Sequence, residues 1–143
     1  MSEFTGPTRF NHVAMSMPAD ALDEQGRADI TAFYSEVFGW VEHPTMTEDR
    51  TRLVMGVHSY DQFVFLIADE KPMTTPRLDH FGLAVDTVDQ LHEVLARAKA
   101  YAERDDRVDV IDYEVEDHGV LKLHNFYVGY LLPMMVEVQC FEM

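Results

Sequence analysis

Arg9-Phe-Asn-His-Val-Ala-Met-Ser-Met17 and Arg77-Leu-Asp-His-Phe-Gly-Leu-Ala-Val85 follow one pattern. Each reads Arg, apolar, Asn or Asp, His, then large apolar residues alternating with small ones. The two stretches lie 68 positions apart. That period is too long for a solenoid unit and there are only two copies, so it points to a duplicated half-domain. Strict alternation predicts a strand in each stretch.

Each strand is followed by a helical pattern. Ile30, Phe33, Tyr34, Val37 and Phe38 recur at i, i+3, i+4, i+7 and i+8, with Asp29 placed as an N-cap and Gly39 as a stop. In the second half Val88, Leu91, Leu95 and Ala98 form the stripe, and Thr87 with Gln90 spells a capping box. Further strands are predicted near 40–46, 51–57 and 61–68, and near 108–115, 120–128 and 132–141. The order β-α-β-β-β therefore occurs twice, over 9–68 and 77–142. Asp69 to Pro76 reads as a surface linker and Ala19 to Ala28 as a polar insertion.

Alternation sorts the strand side chains by face. His12 shares a face with Phe10, Ala14 and Ser16, and His80 with Gly82 and Ala84; the opposite faces carry the bulky apolar residues suited to lie under a helix. Space beside a histidine suits a metal and a ligand. Glu137 sits inside the apolar run Pro133 to Cys140, sharing a face with Met135 and Gln139. A buried carboxylate without a partner is costly. A metal removes that cost; so does exposure at an edge, or a hydrogen bond from a buried Tyr or His. Two histidines at equivalent places and one carboxylate in the last strand make a 2-His-1-carboxylate set, which leaves coordination positions open.

The chain has 143 residues, enough for one domain, and no apolar run long enough to cross a membrane. Met1 to Arg9 lacks an apolar h-region, so no secretory signal is expected. The lone Cys140 can form no internal disulfide and reads as a core residue, in keeping with a cytoplasmic protein. Net charge is -15, with only 11 scattered Lys and Arg, which argues against nucleic acid or an anionic membrane as partner. The acidity serves solubility or attracts a cationic ligand.

From residue 9 to 141 the sequence resembles the vicinal oxygen chelate superfamily of glyoxalases, bleomycin resistance proteins and extradiol dioxygenases. The resemblance rests on the paired His strands, on Phe33-Tyr34-Ser35-Glu36-Val37-Phe38-Gly39-Trp40 at the helix end, and on the closing strand with Glu137. It implies an α+β fold of two βαβββ modules, with curled mixed sheets enclosing a central cavity, within one chain or between two chains of a dimer. It implies metal ligands at His12, His80 and Glu137. The fourth family position holds Phe65, which cannot bind a metal, so a four-ligand glyoxalase-like lyase or isomerase is disfavoured. Three ligands resemble the extradiol dioxygenases and the fosfomycin-modifying transferases; the transferases need cations to hold a phosphonate and only Lys122 is at hand, so the resemblance favours a dioxygenase with Fe(II), or Mn(II), chelating a small catechol-like substrate. Tyr127 and His118, ten and nineteen residues before Glu137, resemble the substrate-facing Tyr and His of that branch. The usual polar turn before the last strand is replaced by Tyr130-Leu-Leu-Pro-Met-Met135, apolar enough to line a pocket or a subunit contact, and a homodimer is expected. His58 is a stand-in for the acid/base group that Phe65 displaces.

The competing class is a drug-binding protein of the bleomycin resistance type, without catalysis. The acidity, Phe63, Phe65, Trp40, Met134 and Met135 fit a stacking pocket for a large cation. His43, His92 and His124 have no spacing that ties them to the triad, and His92 is expected to face solvent.

Overall fold

A computed structural model describes residues 5–143. Two four-stranded mixed sheets form, one from each half. The first has the order β1 (His12–Met17), β4 (Phe63–Ala68), β3 (Arg52–Gly56), β2 (Val41–Glu42); the second has β5 (His80–Ala84), β8 (Met135–Glu142), β7 (Lys122–Gly129), β6 (Asp109–Asp117). In each, the His-bearing strand pairs in parallel with the last strand of its half, and the other pairings are antiparallel. The α+β fold of two βαβββ units is as the repeat predicts.

Helix α1 (Glu24–Phe38) begins six residues earlier than its apolar spacing predicts. Asp23 is the N-cap and accepts the Gly26 amide at 2.7 Å, so most of the supposed insertion is a 3-10 turn, Ala19–Leu22, and the first turn of the helix. The cap hides because its first turn is polar; an apolar stripe marks where a helix is covered, not where it starts. Gly39 closes α1 at φ 75, a left-handed value that suits glycine. Helix α2 (Val88–Ala102) starts on the Thr87–Gln90 capping box, formed in both directions.

The bulky faces of both sheets and both helices share one core. The halves are joined at the α1–α2 contact. Tyr34 of α1 is fully buried and donates to the Tyr130 carbonyl at 2.9 Å; Phe33 stacks on the Tyr130 ring at 4.4 Å. The Tyr130 hydroxyl donates to Asp105, and Arg107 bridges Asp105, Tyr130 and Asp29. The apolar turn after β7 thus covers the core. Trp40 and Met135 are also buried, with Trp40 stacked on Tyr34 at 4.7 Å.

Two features position the site. Strands β1 and β5 lie at free sheet edges, on a groove of about 690 Å³ that Phe81, Leu83 and Val85 help to line from the helix side. Between Ile111 and Glu114 the β6–β7 register slips by one residue, a β-bulge.

Candidate metal centre

On the open face of the second sheet, the register sets Glu137 between Gly82 of β5 and Tyr127 of β7. Glu137 is only 5% exposed. Its Oε2 accepts from Asn125 Nδ2 at 2.8 Å and its Oε1 from the Gln139 amide, both on the same face. A Cβ built on Gly82 falls 3.5 Å from Glu137 Oε1, so glycine keeps the space before the carboxylate open.

His80 Nε2 stands 3.6 Å from Glu137 Oε1, and His80 Nδ1 lies 2.8 Å from the Leu78 carbonyl. A carbonyl only accepts, so the proton is on Nδ1. That leaves Nε2 directed at the carboxylate from beyond hydrogen-bond distance, and with the ring in its neutral form the two are Lewis bases facing each other. A cation between them resolves the conflict. Donors each ~2.1 Å from one ion lie about 3 to 3.5 Å apart, so the pair fits a divalent metal after a small adjustment. Tying Nδ1 to a carbonyl is how ligating imidazoles are ordinarily held. Tyr127 meets the His80 ring edge-on at 4.9 Å. Burial, and next the Glu137 charge, push its phenol above the usual range, so it remains a proton donor at neutral pH.

His12 is wired the same way in the other half. Asn11 Nδ2 donates to the Asp61 carbonyl at 3.0 Å, which turns its Oδ1 toward His12 Nδ1 at 2.9 Å. The proton is again on Nδ1 and Nε2 is free. The ring stacks on Phe63 at 4.7 Å. His12 does not join the His80–Glu137 pair within one chain: among the described residues no three His, Cys, Asp or Glu side chains converge on a common point. Phe65, paired with Ala14, supplies only apolar surface to its own sheet.

His118 lies on the β6–β7 turn, 3.4 Å from Glu116. Tyr127 is further along β7, about 16 Å beyond Lys122 at the usual rise, so the structure brings Tyr127 to the centre and leaves His118 at the far rim. His58 lines the groove that His12 also reaches. His92 is exposed and packs on Tyr113. His124 is buried on the helix side of its sheet, its Nδ1 2.5 Å from the Tyr113 hydroxyl, and Cys140 is buried. Asn11, Asn125 and the Leu78 carbonyl are not anticipated by the sequence motifs; face parity alone marks Asn125 as a neighbour of Glu137.

No family model matches the sequence, and no curated protein sequence matches it. Solved structures do. A lactoylglutathione lyase from Agrobacterium tumefaciens superposes with a TM-score of 0.63 at 17% identity, over 94% of this chain and 95% of that one. A glyoxalase/bleomycin resistance protein/dioxygenase from Alicyclobacillus acidocaldarius gives 0.61 at 14%, over 98% and 96%. This is the vicinal oxygen chelate fold. A glyoxalase/bleomycin resistance protein from Albidiferax ferrireducens, at 0.59 and 15% identity over 92% and 98%, has it too. Proteins of this fold commonly bind divalent metals. No helix among the described residues is long and apolar enough to cross a membrane.

Proposed function

We propose that this chain is a metal-dependent vicinal oxygen chelate enzyme of the extradiol-dioxygenase-like kind, acting on a small catechol-like substrate. Its site is completed between two copies. The observation that carries the reading is the Nε2 of His80 opposed to a buried carboxylate at 3.6 Å, with Nδ1 held by the Leu78 carbonyl. Each chain brings His80, Glu137 and Tyr127 on its second sheet and His12 on its first. Strands β1 and β5 have free edges, and the half-exposed Phe81, Leu83 and Val85 beside them need cover. A second copy that lays its β1 edge beside β5 supplies that cover and its His12. A twofold axis then makes two identical sites.

Bound Fe(II), or Mn(II), would supply Lewis acidity and, for iron, an electron path to dioxygen. The chain's own residues do the rest. His80, Glu137 and the second copy's His12 would hold the ion on one side. Asn125 and Gln139 fix the carboxylate. Gly82 leaves room for a substrate with two neighbouring oxygens. Tyr127 donates a hydrogen bond to one of those oxygens and stays protonated while doing so. A lyase of the glyoxalase type is the weaker form of the same reading, because Phe65 takes the place of a fourth ligand.

A metal-free drug-binding protein is favoured by one observation, the lack of a three-donor set among the described residues of one chain. Metal analysis separates the two. Wild type should carry about one ion per chain, and His12→Ala and His80→Ala none. If copies share the site, unfolding the two variants together and refolding them rebuilds one intact site per mixed dimer. Random pairing gives about a quarter of the wild-type metal. No recovery defeats the shared site, and a wild type that cannot be loaded defeats the enzyme reading.

A further inference from the structure

Strand β6 carries Asp109, Asp112, Glu114, Glu116 and Asp117, and the bulge decides which of these face the metal centre. Before it, Ile111 pairs with Tyr127; after it, Glu114 pairs with Asn125 and Glu116 with Leu123. Asn125 and Tyr127 share the open face with Glu137, so Glu114 and Glu116 share it too. Without the slipped residue, the continuing register would turn Tyr113 and Val115 to that face and send both glutamates to the helix side. The slip therefore replaces two apolar side chains by two carboxylates on the open face, Glu114 opposite Asn125 and Glu116 nearer the rim where His118 lies. Tyr113 instead turns inward to meet His124, and Val115 is left 45% exposed on the other side. Bulges recur beside active sites because they re-aim side chains in this way.

The charge on that face is uncompensated. The second sheet's strands hold one cationic side chain, Lys122, which pairs with Glu142 and has the parity of His124, so it belongs to the helix side. Arg77, just before β5, is held by both carboxylate oxygens of Asp109. Lys99 is engaged by Asp112. Glu116 has His118 at 3.4 Å, which neutralises it only when that ring is protonated. Both glutamates act electrostatically on the Tyr127 hydroxyl, so their field reaches the place where a substrate would lie.

We propose that Glu114 and Glu116 set the substrate class of this site: a molecule with two vicinal oxygens that also carries a protonated amine. The chelating oxygens go to the metal side and the ammonium group to the β6 side. Substrates with a carboxylate, phosphonate or other anionic arm are disfavoured by the same charges. This rests on the chelate reading above and adds specificity to it.

Three ligands of one shape but different charge test it: dopamine, catechol and 3,4-dihydroxyphenylacetate. Their binding is measured by calorimetry on the full chain loaded with Mn(II), without oxygen, at low salt and about pH 8, where imidazoles are ordinarily neutral and alkyl amines charged. Dopamine should bind tightest and 3,4-dihydroxyphenylacetate weakest, about tenfold or more apart. High salt should narrow the gap, and the double variant Glu114→Gln/Glu116→Gln should bring the three constants together. Equal affinities, a reversed order, or a gap that persists in the double variant would overturn the proposal while leaving the chelate reading standing. If none of the three binds, the chelate reading falls and takes this inference with it.

Discussion

Removing one oxygen atom from Tyr34 isolates the link between the two modules. Tyr34 is fully buried, and burial drives its hydroxyl far above the usual phenol range, so it donates to the Tyr130 carbonyl at every accessible pH. Phenylalanine keeps the ring stacking on Trp40 and the edge contact with Phe33. What is lost is one hydrogen bond across 96 residues of chain. A buried carbonyl stripped of all donors costs about 1 to 3 kcal/mol. The Tyr130 carbonyl keeps a second donor, the Leu132 amide at 2.8 Å, so the low end applies, ~1 kcal/mol. At roughly 2 cal/mol/K of unfolding entropy per residue, that lowers Tm by about 3 °C. Calorimetry of Tyr34→Phe beside wild type, both with chelator and at equal protein concentration, measures it without linkage to metal or dimer. A shift under about 1 °C would mean that the tyrosine carries no inter-module coupling. One above ~9 °C would mean that the turn at 130–134 collapses with it.

Gly82 offers a test of the centre that does not touch a ligand. Gly82→Ala should bind metal nearly as wild type does, because its Cβ meets Glu137 Oε1 at an ordinary 3.5 Å; Gly82→Val puts methyl groups into the same space and should abolish uptake while leaving the circular dichroism spectrum intact. Normal metal content in the valine variant would move the site elsewhere. Asp105 predicts an acid-range effect. Arg107 first, then the Tyr130 hydroxyl, hold its carboxyl well below the usual carboxylate range. A folded-state value below the unfolded one contributes stability that is complete above about pH 4 and fades as pH falls toward the folded value. The plot of Tm against pH should therefore fall less steeply below about pH 4 in Asp105→Asn than in wild type; parallel curves would refute the assignment.

Much of the fold was legible because the signal was duplicated. A single His strand is ambiguous, but two strands with the same alternation, each followed by a helical stripe and three further strands, specify the module and its parity. Parity in turn brought His80, Gly82, Glu137 and Gln139 to one face. The failures are local. The start of α1 is not legible in the sequence because the Asp23 cap precedes polar turns with no stripe. The drug-binding reading puts Trp40 in a stacking pocket, whereas Trp40 is largely buried against Tyr34. The β6 bulge has no signature, since Asp112-Tyr113-Glu114-Val115-Glu116 alternates equally well in either register. Only pairing with β7 decides which set faces the site.

His12 and His80 raise a different problem. Linear spacing says that they are equivalent, and their wiring agrees: each has Nδ1 tied by a nearby acceptor and Nε2 free. Equivalence in a duplicated chain does not mean proximity. The carboxylate survives in one copy only, Glu137 in the second half and Phe65 in the first. A donor set of two histidines and one carboxylate is therefore divided two and one between modules. The modules meet through their helices, and β1 and β5 are edge strands of their sheets. In the proposed dimer a second copy would satisfy both edges at once, and the same rotation would carry each lone His12 to the other chain's His80 and Glu137. Loss of the glutamate from the first module then costs no site, because a twofold dimer needs one carboxylate per chain to make two complete centres.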